Sequence, residues 1–171
     1  MVPTPARISL FVGKGGVGKS TLASATAVCA AGEGRRVLVV STDQAHSLGD
    51  VLGVPVPPGG KGEPVRVFTD LDTGLGEPSG GYLDALALDT LALLEARWHQ
   101  VVDTLDRRFP GSELSTIAPE ELSALPGIQE VLGLYAVGEL AASGRWDRVV
   151  VDCASTADAL RMLTLPATFA L

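Results

Sequence analysis

Gly13-Lys14-Gly15-Gly16-Val17-Gly18-Lys19-Ser20 is the stretch that decides how this chain is read. It fits the phosphate-binding pattern GxxxxGK[ST] at every position. Several backbone N–H groups must converge on one phosphate, so the chain has to curl tightly. Gly13, Gly15, Gly16 and Gly18 permit the backbone angles and leave no Cβ in the way. Lys19 supplies a cation for the β- and γ-phosphates of a nucleotide, and Ser20 a hydroxyl ligand for Mg²⁺. The helix that starts near Ser20 aims its positive end at the same phosphates. A glycine-rich turn of no function would explain a lone GxGxxG. It does not explain a complete match lying between a buried strand and a helix.

Working outward, Arg7-Ile8-Ser9-Leu10-Phe11-Val12 reads as a buried strand. Residues 20–31 have high helix propensity and no proline, and Gly32-Glu33-Gly34 ends them. Arg36-Val37-Leu38-Val39-Val40-Ser41 is a second buried strand, which completes a βαβ unit. Residues 49–62 are a Gly/Pro-rich loop, 65–70 a weaker strand, and 71–81 a further glycine-rich stretch. From Leu83 the character becomes helical. Leu91, Leu94, Trp98, Val101, Val102 and Leu105 share one face of a helix over 90–109, and a second helix spans 126–143. Val149-Val150-Val151-Asp152 is a fourth buried strand, and 157–163 resume a helical pattern. The expectation is one partial α/β domain over 1–171: a three-layer P-loop NTPase fold with a mostly parallel sheet. Residues 1–82 and 144–171 form its core, and 83–143 a helical insertion.

Composition narrows the function classes. The chain has 171 residues, 46% hydrophobic and 19% charged, which excludes a disordered protein. Its net charge of −7, from 13 basic and 20 acidic residues, argues against nucleic acid as a partner. There is no apolar run long enough for a bilayer and no secretory start at residues 1–7. Cys29 and Cys153 form no CxxC pair; they read as small buried residues in a reduced, cytoplasmic setting.

Two acids follow the phosphate loop. Asp152 ends an apolar strand, where an acid near Mg²⁺ belongs, usually acting through a coordinated water; a helix N-cap is its bland alternative. Asp43 follows the second strand and has the same alternative. Both fall at the C-terminal ends of parallel strands, where open α/β sheets bind ligands. A carboxylate there could orient the water that attacks the γ-phosphate.

These segments resemble a known family. Ser41-Thr42-Asp43-Gln44-Ala45-His46-Ser47-Leu48 closely resembles the switch I motif STDPAHSL of the ArsA arsenite-transport ATPases and their relatives that target tail-anchored membrane proteins. Leu125-Pro126-Gly127-Ile128-Gln129-Glu130 is similar to that family's PPG-[IV]-x-E segment, and residues 152–161 to its switch II, DTAPTGHTLR. Lys14 fits the deviant Walker A of the wider MinD/ParA and nitrogenase iron-protein group, although alone it reads as a solvated charge. The resemblance implies an ATPase that works as a homodimer, or as a heterodimer with a related ATPase, with Lys14 reaching the partner's phosphates. It implies that Asp43 positions the hydrolytic water, that Asp152 is the Mg²⁺-associated acid, and that Val17 and Thr21 are ordinary loop and helix-start positions, Thr21 near the α-phosphate. His46 takes a structural role. ATP, Mg²⁺ and a membrane-protein or other hydrophobic cargo come with the same resemblance.

The sequence also departs from the family. Gln44 stands for proline in switch I, and Cys153, Ser155 and Ala157 stand for Thr, Pro and Gly in switch II. Loss of that glycine restricts a segment that must rearrange. No cysteine occurs in 83–143, so the arsenite site of ArsA has no counterpart there. Family members continue well beyond switch II, in their sheet the Walker B strand lies between the first two strands, and their later strands carry the base pocket. The expectation is that 1–171 is a fragment, a truncated product or a half that needs a partner, with residues 8–12 an exposed apolar edge. A non-catalytic nucleotide-binding and dimerisation subunit is the alternative to the ATPase.

Overall fold

The computed structural model describes residues 5–42, 47–59, 63–69, 80–98, 102–103, 107, 118, 121 and 128–153. In chain order the elements are β1 (Arg7–Phe11), α1 (Lys19–Gly32), β2 (Arg36–Ser41), α2 (Ser47–Leu52), β3 (Pro58–Gly59), β4 (Val65–Thr69), β5 (Tyr82–Leu88), α3 (Thr90–Ala96), α4 (Ile128–Ala142) and β6 (Arg148–Asp152). They form one sheet in the order β1-β6-β2-β5-β3, all parallel, while β4 pairs antiparallel with β5.

The strands sort their side chains to two helical layers, as the period of two requires. Val37, Val39, Leu83, Ala85, Ala87 and Val150 pack with Ala23, Ala27, Ala30 and Ala31 of α1 and Leu48 of α2. Leu38, Val40, Leu86, Leu88, Val149 and Val151 face Leu93 of α3 and Ala136, Val137 and Ala141 of α4. Because both faces are covered, β2 and β6 are unbroken apolar runs, the pattern of a parallel sheet. The small residues of α1 let it lie close to the sheet. This is the three-layer α/β architecture expected. β6 stands between β1 and β2, and among the described residues β1 pairs with β6 alone. Ile8 is 42% and Val12 48% exposed, as on an uncovered edge.

Two expectations are corrected. The helical insertion does not begin at Leu83. Tyr82–Leu88 is a strand in full register with β2, so the sheet runs on to Leu88, where Asp89 caps α3 by accepting from Ala92 N–H at 3.0 Å. Cys29 is exposed on α1, while Cys153 is buried at the end of β6. The helix expected over 90–109 is described as Thr90–Ala96, capped at Arg97. The segments 71–79 and 157–163 lie outside the described residues.

The N-terminal ends of the strands are fastened by polar contacts. Buried Asp84 accepts from Trp146 Nε1 at 2.8 Å and pairs with Arg66, whose guanidinium lies 3.9 Å from the Tyr82 ring centroid. Tyr82 donates its hydroxyl proton to the Arg145 carbonyl at 2.7 Å. Asp147 accepts from the Arg36 N–H at 2.9 Å and from its guanidinium at 2.6 Å. That hydrogen bonding holds the Asp147 carboxyl below its ordinary 3.8, against the opposing effect of burial. A lowered folded value means that this stability is complete above 3.8 and is lost as the pH falls through the still lower folded value. Asp147→Asn is expected to cost about 1 kcal/mol at pH 7, held down by the half-exposure of the pair. In denaturant melts its gap to wild type should narrow as the pH falls below 3.8.

Candidate nucleotide site

β1 delivers the chain to the loop at the C-terminal edge of the sheet, and α1 carries it away at Lys19. Gly16 sits at φ 78° and Gly18, the N-cap of α1, at φ 85° and ψ 24°. These left-handed angles turn the backbone into the helix, and a side chain would strain them. Gly15 has no positive φ, and a Cβ on it would meet nothing within 4 Å, so the curl rests on Gly16 and Gly18 and not on Gly15. A Cβ on Gly13 would stand 3.3 Å from Val17 Cγ2 and 3.4 Å from Lys19 Cδ. Its absence lets the Lys19 stem cross the start of the loop.

Lys19 folds back over the loop and donates from Nζ to the Lys14 carbonyl at 3.4 Å. A bond that long is weak and readily exchanged for a phosphate oxygen, which would accept more strongly. The first turn of α1 has neither a side-chain cap nor an acidic residue. The positive end of the helix is therefore not neutralised by a carboxylate of its own first turn. Lys14, Val17 and Thr21 are exposed, and Ser20 is half-buried.

Asp152 is 1% exposed and shares a row of the sheet with Phe11 of β1 and Ser41 of β2. One step beyond that row, Cys153 N–H donates to the Phe11 carbonyl at 3.1 Å and Thr42 N–H to the Asp152 carbonyl at 3.0 Å. The chain ends leading to the glycine loop, to Asp152 and to residue 43 thus leave the sheet side by side. The structure brings Gly13–Thr21 and Asp152 to one edge. Residues 43–46 and 154–161 of the two switch-like motifs, Asp43 and His46 among them, lie outside the described residues. Thr42, quoted in the sequence only as part of the switch I-like motif, also brings its hydroxyl to 3.5 Å from the Asp152 carbonyl, 110 residues away.

A serine hydroxyl and a carboxylate are hard oxygen donors of the kind Mg²⁺ selects. Among the described residues no group of three or more His, Cys, Asp or Glu side chains could hold a metal. Among the described residues, Ser20 and Asp152 supply oxygen donors of this kind at this edge.

Sheet order, loop and acid together define an α/β protein of the P-loop NTPase fold. The sequence profile of the anion-transporting ATPases matches residues 6–170, and the chain belongs to that family. It is 81% identical over 170 residues to Protein Rv2184c of Mycobacterium tuberculosis, covering 99% of this chain and 39% of that protein. It is 34% identical over 162 residues to a putative arsenical pump-driving ATPase of Chlorobaculum tepidum, covering 95% of this chain and 36% of that one. It is also 34% identical over 158 residues to an ATPase ASNA1 homolog of Cryptosporidium parvum, covering 92% and 37%. The chain thus spans under two-fifths of the length of these relatives. Among the described residues no helix is long and apolar enough to cross a membrane.

Proposed function

We propose that the site binds ATP and hydrolyses it with Mg²⁺, coupling the reaction to a conformational switch in a dimer. The observation that carries this reading is the glycine loop, bent by Gly16 and Gly18 into α1, beside the buried Asp152. The loop amides and Lys19 hold the phosphates. Ser20 and Asp152 would hold Mg²⁺, Asp152 through a water; when bound, the ion neutralises charge on the β- and γ-phosphates. Asp43 orients the attacking water, and Lys14, exposed on the loop, reaches the phosphates bound by the partner of a homodimer or heterodimer. Water adds to the γ-phosphorus as the bond to the β–γ bridging oxygen breaks, giving ADP and phosphate. The relatives' names favour ATP over GTP. A cytoplasmic setting and a membrane-protein or other hydrophobic cargo complete the proposal.

A second reading is a nucleotide-binding and dimerisation subunit without turnover, favoured by the altered residues Cys153, Ser155 and Ala157. One panel separates the two. With Asp43→Asn, ATP affinity should be kept and phosphate release should fall by about a hundredfold or more. Lys14→Ala should likewise spare binding and damage turnover. Wild-type protein that binds ATP without releasing phosphate, even at dimer-forming concentrations, supports the subunit. Full turnover in Lys14→Ala removes the role across the dimer.

A further inference from the structure

β1 begins with Arg7 and β6 with Arg148, and the two are in-register partners. Their side chains leave the same face of the sheet. Phe11, four residues from Arg7, and Val150, two from Arg148, both pack in the cluster beneath α1. Neighbouring strands lie about 5 Å apart, so two cations stand side by side here. Like charges so placed repel unless an anion lies between them. Among the described residues neither arginine makes an ion pair. The acids beside them are engaged elsewhere: Glu33 with Arg35 at 3.1 Å, and Asp147 with Arg36 at 2.6 Å. Nε of Arg148 is buried and has no hydrogen-bond partner among the described residues, a costly state for a charged donor. The carbonyl end of α1 offers these cations partial negative charge only. Arg148 and the flank of α1 that carries Leu22, Thr26, Cys29 and Glu33 line a groove of about 390 Å³. Among the described residues β1 pairs with β6 alone, so backbone groups along its outer edge are open.

We propose that Arg7 and Arg148 form a carboxylate-binding site, and that the carboxylate is carried by an extended polypeptide segment that pairs with the outer edge of β1. Each half of the proposal has its own observation. Guanidinium groups take a carboxylate in a forked, charge-assisted arrangement, and the buried Nε gains the acceptor it lacks. The open edge of β1 is a template for an added strand. Ile8 on the opposite face, and Val12 just past the strand, are exposed and gain apolar cover from the alternate side chains of that segment. The β1 region of a second copy does not fit as the occupant. Residues 5–19 contain no Asp or Glu, and they would bring Arg7, Lys14 and Lys19 to a site already cationic. The segment therefore has a different sequence, apolar on one face and acidic on the other. The site lies at the opposite end of β1 from the glycine loop, so it stands independently of the nucleotide reading.

Fluorescence anisotropy with labelled eight-residue peptides of alternating valine and threonine tests this on the 171-residue chain. One peptide carries glutamate in place of its first threonine and one in place of its last, which covers both strand directions. Controls carry glutamine there. The better glutamate peptide is expected to bind about tenfold tighter than its glutamine control. Arg7→Gln and Arg148→Gln should each remove that preference. Arg7 is exposed, so its variant keeps the fold even where Arg148→Gln does not. Equal binding of glutamate and glutamine peptides overturns the carboxylate site, as does a preference that survives in both arginine variants. Two further glutamate peptides are N-methylated on one or the other alternate set of amides, and at least one should lose binding. If neither does, strand pairing is overturned. Sodium acetate that displaces the glutamate peptide at the peptide's own Kd assigns the site to free small carboxylates and overturns the strand. Absence of binding by every peptide overturns the proposal as a whole.

Discussion

Lys19→Ala is expected to weaken ATP binding by about a hundredfold or more, equivalent to roughly 3 kcal/mol, with little change in fold stability. Among the described residues Nζ makes one long contact, 3.4 Å to the Lys14 carbonyl, which contributes little to holding the loop together. The loop shape comes from elsewhere: positive φ at Gly16 and Gly18, and the start of α1. Removing the lysine therefore subtracts a cation from the phosphates while leaving the cradle of amides in place. Calorimetric titration with ATP, paired with a thermal melt, separates the two effects. An affinity equal to wild type would contradict the assignment of this loop to phosphate binding.

Gly81→Ala is expected to have the largest effect on the fold. A Cβ there would stand 2.0 Å from the Ala31 carbonyl oxygen, 2.9 Å from Gly34 Cα and 3.0 Å from the Arg35 carbonyl oxygen. All three are backbone atoms, so no side chain can rotate away. The start of β5 and the C-terminal turn of α1 would have to separate, opening the cluster of Ala30, Ala31 and Leu83. A cost of about 3 kcal/mol or more follows, seen as a fall of roughly 6–12 °C in melting temperature. Gly15→Ala supplies the contrast. Its Cβ would meet nothing within 4 Å and its φ is not positive, so stability should stay within about 0.5 kcal/mol of wild type. Equal melting temperatures for Gly81→Ala and wild type would show that this close approach does not constrain the fold.

The parts of this molecule that could be read from sequence are those whose environment leaves a local mark. β2 and β6 lie between two helical layers, so they read as continuous apolar runs, and the glycine loop announces the βαβ unit around it. β5 left no such mark. Tyr82-Leu83-Asp84-Ala85-Leu86-Ala87-Leu88 has no β-branched residue, is rich in leucine and alanine, and runs straight into α3. Tertiary contacts override that preference: a complete ladder with β2, and Arg66 and Trp146 on the Asp84 carboxylate. The alternation of Leu83, Ala85 and Ala87 against Leu86 and Leu88 was the available signal, together with Asp89 as a cap. The two-residue β3 is too short to carry any pattern.

Within the site, the loop is local and Asp152 is marked by its strand, so both were legible. Their adjacency was not, because β6 inserts between β1 and β2 from more than a hundred residues away, and only the family resemblance anticipated it. The doubled contact from Thr42 to Asp152 exists because of that insertion, so no reading of residues 36–43 alone could supply it.

The claim that Gly13–Thr21 is an ATP-hydrolysing site is tested most directly by phosphate release from ATP, measured with Mg²⁺ and with the metal chelated, in wild type and in Lys19→Ala. The account predicts release that saturates with ATP, stops on chelation and disappears in Lys19→Ala. Release that persists unchanged in Lys19→Ala, or wild-type protein that neither binds nor consumes ATP, would contradict it.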